Sequence, residues 1–274
     1  MISPELLFWY GLALKMVLTA IVVILTSLAV ERSGPFIGAL IAALPTAAGA
    51  AYVILALEHP PSFIATSVVG SAATGAAISI FAAVYAALAQ RHGVVLSLAI
   101  SLAVWFAITA LLRTVEWTPL RAIAVNALVY SVTIPLSARY QVSGPPKKFL
   151  RTPFDIPLRG LAAAVVVAIV TTASHRIGSF ASGIFAVFPI ILCSSIVILH
   201  PRIGGPATAS MLSHAQIPLL GLSLSFVAVH FFAEPLGSWA ALAIGLLLTV
   251  LWSGALLVFR LAAVRRALGR QSPV

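Results

Sequence analysis

Charge is scarce in this chain, and acid is scarcer still. Of 274 residues only 8% are charged, with 6 Asp and Glu against 16 Lys and Arg, while 61% are hydrophobic. So little polar surface cannot clothe a water-soluble globule, which excludes a soluble enzyme or carrier. The single cysteine, Cys193, excludes an internal disulfide and any cysteine-based metal centre, and its apolar run favours a structural buried thiol over a reactive one. Paired carboxylates, a His-Glu-x-x-His helix and a Gly-x-Ser-x-Gly elbow are all missing, so no membrane enzyme and no bound cofactor is expected. The six acids, Glu5, Glu31, Glu58, Glu116, Asp155 and Glu234, all fall at the ends of apolar runs or between them. No carboxylate is left in mid-membrane to bind a cation or relay a proton, which disfavours a cation exchanger and favours a neutral or anionic solute.

What the chain does have is apolar length. Runs separated by proline, glycine and charge predict nine helices: Leu7 to Val30, Phe36 to Leu57, Phe63 to Ala89, Val94 to Leu112, Pro119 to Ala138, Pro157 to Ser174, Phe180 to Leu199, Ala207 to Phe232 and Trp239 to Leu261. Each approaches the roughly 20 residues that cross a hydrocarbon core of about 30 Å. The opening residues carry Glu5 and no basic region, so the first run reads as a span rather than a cleaved signal. With the N-terminus outside, 12 bases, among them Arg32, Arg91, Arg139, Lys147, Arg202 and Arg265, fall on the cytoplasmic side, whereas Arg113, Arg121 and Arg176 fall outside. That asymmetry fits a bacterial inner-membrane protein with its C-terminus in the cytoplasm, and it accounts for the net charge of +10 without nucleic acid as a partner. Lys15, close to Trp9 and Tyr10, reads as snorkelling to the outer interface.

The sequence also repeats. A shift of 144 residues lays Leu12 to Leu55 onto Ile156 to Leu199 with 13 identities in 44 pairs, against a chance level of roughly one in ten for so greasy a composition. Arg32 meets Arg176, Gly34 meets Gly178, Phe36 meets Phe180, Pro45 meets Pro189, and Lys15 meets Arg159. A shift of 147 continues the match through Trp105 with Trp252 and Arg113 with Arg260. The expected organisation is all-α and integral to the membrane: repeat 1 over 1–113, a linking helix 5 over 114–140, a cytoplasmic loop over 141–156, repeat 2 over 157–261 and a basic tail over 262–274. Helices 1 to 4 and 6 to 9 form the copies, and the odd offset inverts the second, giving a 4+1+4 inverted repeat. Such repeats recur in secondary transporters, whose equivalent halves exchange inward-open and outward-open arrangements.

Pro45 and Pro189 sit nine residues after Phe36 and Phe180, about 14 Å along a helix and hence near mid-bilayer. Proline removes one backbone hydrogen bond and crowds the preceding turn, so helices 2 and 7 should each break there. A broken helix offers free N–H groups and a positive dipole end to a polar or anionic solute. The expected solute contacts are therefore Pro45, Thr46 and Gly49 from the first copy and Pro189, Ser194 and Ser195 from the second. The polar residues inside other spans, Asn126 in helix 5 with His214 and Gln216 in helix 8, join them as candidates, with satisfied interhelical hydrogen bonds as the competing role. Pro218 loosens the helix beside His214, the one credible titrating group within a span. Gly34-Pro35-Phe36-Ile37-Gly38 and Gly178-Ser179-Phe180-Ala181-Ser182 suit close helix packing, and Trp105 and Trp252 suit the core. His59, His175 and His230 fall near the outer interface and are the best candidates to share a metal; ordinary interfacial histidines are the stronger reading, and no metal is expected.

The pattern Gly34-Pro35-Phe36-Ile37-Gly38-Ala39-Leu40 to Pro45-Thr46, followed by Tyr52-Val53-Ile54-Leu55, resembles the GlpM-like and related uncharacterised small bacterial membrane proteins. Those are about four helices long, one repeat here, so the resemblance implies a fused antiparallel pair of such units. The second copy departs where Ile190 replaces Thr46. The resemblance links the chain loosely to envelope polysaccharide production and implies no particular substrate. The expected function is a transporter moving a small solute through the lipid bilayer by alternating access. A channel of the same architecture and a non-transporting accessory protein of envelope assembly are the rival classes, and homo-oligomerisation is left open.

Overall fold

The computed structural model describes residues 4–32, 45–141 and 154–269. Among them all regular structure is helical. The helices are α1 (Pro4–Arg32), α2 (Thr46–Glu58), α3 (Pro61–Leu88), α4 (Val94–Leu112), α5 (Pro119–Ala138), α6 (Asp155–Ile177), α7 (Ser179–Ala186), α8 (Ile190–Ile203) and α9 (Gly205–Gly269). The Gly34 to Ala39 pattern, the first half of predicted helix 2, most of the 141–156 loop and the last residues of the basic tail lie outside the described residues.

Punctuation in the sequence sets these boundaries. Pro61 and Pro119 occupy the first turn of α3 and α5, where a missing N–H is harmless. Thr118 caps α5 by accepting from the Arg121 N–H at 3.3 Å. Gly178 and Gly204 end α6 and α8 at φ of 80° and 88°, backbone that glycine adopts without strain. Gly237, at φ 81° and ψ 160°, divides α9 into limbs 205–236 and 238–269.

Six stretches are long and apolar enough to cross a membrane: Pro61–Leu88, Val94–Leu112, Pro119–Ala138, Asp155–Ile177, Ser179–Ile203 and Gly205–Phe259. The last, at 55 residues, is more than twice what one crossing needs. Expected helix 2 is not among the six, because the described part of it is the 13-residue α2. Leu14, Leu128, Val132, Ile169, Leu247 and Leu251 point outward and exposed, as lipid-facing residues do. These are the properties of a multi-pass membrane protein.

The core forms around α3, which is buried over almost its whole length and is built largely from Ala, Ser and Gly. With lipid as apolar as leucine, helices gain by close contact of small residues rather than by leaving water. Gly183 of α7 abuts the Ser67 backbone, Gly70 abuts the Phe180 backbone, and Gly205 abuts the Ala89 carbonyl, so a Cβ at any of the three would collide with main chain. Two helix pairs run antiparallel. Along α3 and the first limb of α9, Ala65 meets His230, Ser79 meets Gln216 and Ala89 meets Gly205. Along α1 and α6, Gly160 rests on Ala20 and Ile24, while His175 at the other end of α6 reaches Glu58, which is paired with Lys15.

Candidate functional site

The expected break at Pro189 has a definite backbone form, whereas the residues before Pro45 lie outside the described ones. α7 stops at Ala186, the chain passes through Val187 and Phe188, and Pro189 caps α8 at φ −74° and ψ 46°. Pro45 caps α2 at φ −76° and ψ 62°. Each proline carbonyl accepts the first helical bond of the segment behind it, from Gly49 N at 2.5 Å and from Cys193 N at 2.9 Å. The amides of Thr46, Ala47 and Ala48, and those of Ile191 and Leu192, belong to first turns and have no acceptor within their own helix.

These two helix starts line one cavity of about 200 Å³, together with Ile78 of α3, Phe188 of the break, and Ala215, Pro218 and Leu222 of α9. At about 30 Å³ of liquid volume per water, the space takes a small solute and little else. Among the described residues that line it, Thr46 carries the one hydroxyl side chain. A second cavity of about 490 Å³ lies between α1, α2 and α9 and shares Pro45, Thr46 and Leu222 with the first. Those three residues therefore form the partition between the two. Among the described residues, no acidic or basic side chain lines either cavity.

The structure thus brings together Pro45, Thr46 and Pro189, and it places Gly49 on the wall of the second cavity. Ser194 and Ser195 are buried but line neither space, and the Ser194 hydroxyl donates to Ile191 O. Asn126 is buried between α5 and α3, donating to Ala72 O and Ala122 O at 2.8 Å each, while its Oδ1 has no hydrogen-bond partner. Gln216 is fully buried in a polar knot: it accepts from Ser79 at 2.8 Å and donates to Ser137 at 2.7 Å, tying α3, α5 and α9 together. His214 is exposed, with Nδ1 donating to Ser210 O at 2.7 Å. Residues two apart lie on opposite sides of a helix, so with Gln216 inward His214 points out.

Trp105 is completely buried against Phe185 and Phe188, beside the break, and Trp252 donates to Ile217 O at 3.1 Å. Cys193 is buried one turn into α8. Sequence reasoning did not single out Phe188, Ala215 or Leu222 as cavity residues. Pro218 was its only pointer to that wall.

Two ion pairs flank the site. Lys15 Nζ pairs with Glu58 Oε1 at the end of α2, and Arg202 of α8 makes a bidentate pair with Asp155 at the start of α6, at 2.5 and 2.9 Å. His175, beside Glu58, stands about 20 residues beyond Asp155 on α6, which at 1.5 Å per residue is about 30 Å, one hydrocarbon thickness. The pairs thus sit at opposite ends of the bundle with the proline cavity between them. Lys15 does not simply snorkel; it holds the α2 terminus.

Comparison with family models, with curated protein sequences and with solved structures gives no match.

Proposed function

We propose that this protein is a transporter that carries a small neutral or anionic solute across a bacterial inner membrane by alternating access, with the cavity at Pro45 and Pro189 as its central site. One observation carries the reading: two prolines 144 residues apart, equivalent in the sequence repeat, cap two helices with nearly equal backbone angles and open onto the same space. First-turn amides and the positive ends of two helix dipoles suit an acceptor group on the solute, and the lack of acids among the described lining residues disfavours a cation.

The packing supports an inverted repeat; the nine crossings with the N-terminus outside rest on the sequence pattern and its charge asymmetry. The helices that the repeat equates, α1 with α6 and α3 with the first limb of α9, run antiparallel to each other, as an in-plane two-fold axis requires. The ion pairs support two gates. Glu58 and Arg202 are equivalent at the 144-residue shift, and each ties the end of a helix that starts at one of the two prolines to the first helix of a repeat, one pair at each membrane face. Breaking one pair while keeping the other opens the cavity to one side at a time.

Purified protein in proteoliposomes tests this with a panel of small radiolabelled polyols, monocarboxylates and inorganic anions. Saturable uptake with counterflow supports a carrier; unsaturable flux supports a channel; no flux for any solute, from protein shown to be folded, rejects both.

A further inference from the structure

At the end of the bundle that holds the Lys15–Glu58 pair, the last turn of α2 meets the last turn of α6. Glu58, His59 and His175 each offer one ligating atom there, and the three atoms lie within 4.8 Å of one another. We propose that these three side chains bind a divalent transition-metal ion of the zinc class. The site is separate from the proline cavity and does not depend on the transport reading.

The carboxylate is half satisfied. Lys15 pairs with Glu58 Oε1, but Oε2 is buried with no hydrogen-bond partner. A buried anionic oxygen without a donor is costly, and a bound cation removes that cost. The first imidazole is already oriented as a ligand. Ser174 Oγ donates to Thr171 O at 2.7 Å, so toward His59 it acts as acceptor, and the His59 Nε2–H donates to it at 2.8 Å. This fixes the tautomer and leaves Nδ1 with a free lone pair, the arrangement in which metal-bound histidines place their second N–H. Stacking on Phe63, 3.7 Å between centroids and 6° between planes, holds the ring in place.

His175 completes the set from the exposed end of α6, with its ring centroid 4.4 Å from that of His59. Metal–ligand bonds of about 2.0–2.2 Å need the three atoms somewhat closer than they stand. His175, being exposed, closes that gap by side-chain rotation. Two imidazoles and one carboxylate suit Zn²⁺, Co²⁺ or Ni²⁺; Mg²⁺ and Ca²⁺ prefer all-oxygen shells. Three protein ligands leave at least one position for water. His230, the third member expected from sequence, donates instead to Ala65 O and lies outside the set. Glu58 takes its place.

The test uses the full chain, without a histidine tag, purified in detergent, stripped with chelator and titrated with Co²⁺ and Zn²⁺. The expected result is one ion per chain, with visible Co²⁺ bands of nitrogen and oxygen ligation and a Zn²⁺ dissociation constant of roughly micromolar or below. His175→Ala, at an exposed position, and Ser174→Ala, which removes only the orienting hydroxyl, should each weaken binding about tenfold or more. His92→Ala, at another exposed histidine, should leave it unchanged. Sub-stoichiometric binding without Co²⁺ bands, or wild-type affinity in folded His175→Ala protein, overturns the site.

Discussion

Pro45 and Pro189 border the same cavity, each with its carbonyl accepting the first bond of the half-helix behind it. Their likeness has a physical cause. Proline lacks the N–H that would bond back into a preceding turn, so a helix starts at that point and its first amides have no acceptor within it. Alanine at either position allows the helix to run through. Pro45→Ala and Pro189→Ala should each slow solute flux about tenfold or more, equivalent to about 1.4 kcal/mol on the barrier, while thermal stability in detergent holds or rises. Initial uptake rates beside a melting curve separate these effects.

Leu222 sits on the partition between the cavities. Enlarging it fills space that a solute must pass. Leu222→Trp should reduce uptake to background without unfolding the protein, whereas Leu251→Trp, on the exposed outer face, should leave uptake unchanged.

Gln216 behaves as a structural knot. Its replacement by Leu leaves the buried Ser137 hydroxyl without its partner and removes one of the two partners of the buried Ser79 hydroxyl, which keeps Thr133 at 2.6 Å. Hydrogen bonds between membrane helices average about 0.6 kcal/mol and reach about 1.7. Gln216→Leu should therefore cost about 1–2 kcal/mol in reversible unfolding, with substrate selectivity unaltered in uptake competition.

The two ion pairs should act in opposite directions. Lys15→Ala releases the α2 end and Asp155→Ala releases the α8 end. Accessibility of a single cysteine placed in the cavity should shift toward the outer face in the first variant and toward the inner face in the second. The double exchange Asp155→Arg with Arg202→Asp should restore the unmodified distribution.

Much of the helical frame was legible because the punctuation is chemical. Gly93, Thr118 and Pro119 bound α4 and α5 where composition alone puts them. The break at Pro189 and the helix start at Pro45 were legible for the same reason, since a proline without an N–H acts locally. Contacts between residues far apart in sequence were not. Lys15 and Glu58 are separated by 43 residues, and Arg202 and Asp155 by 47. Nothing in the pattern of either run names its partner. His214 and Gln216 looked alike as polar residues before Pro218, and only the helix phase, fixed by packing on α3, sends one inward and the other out. Glu58 escaped notice as a ligand because a carboxylate at a helix end is ordinary until a histidine from another helix stands beside it.

Thr46 is the hydroxyl on the cavity wall and belongs to both cavities, so a cysteine there reports access to the proposed site. In a Cys193→Ser background, Thr46→Cys is to be labelled with a membrane-impermeant thiol reagent in right-side-out and inside-out vesicles. Alternating access predicts labelling from both sides, slowed in each case by a transported solute. Labelling from one side alone, or from neither, contradicts a central site that serves both faces of the membrane.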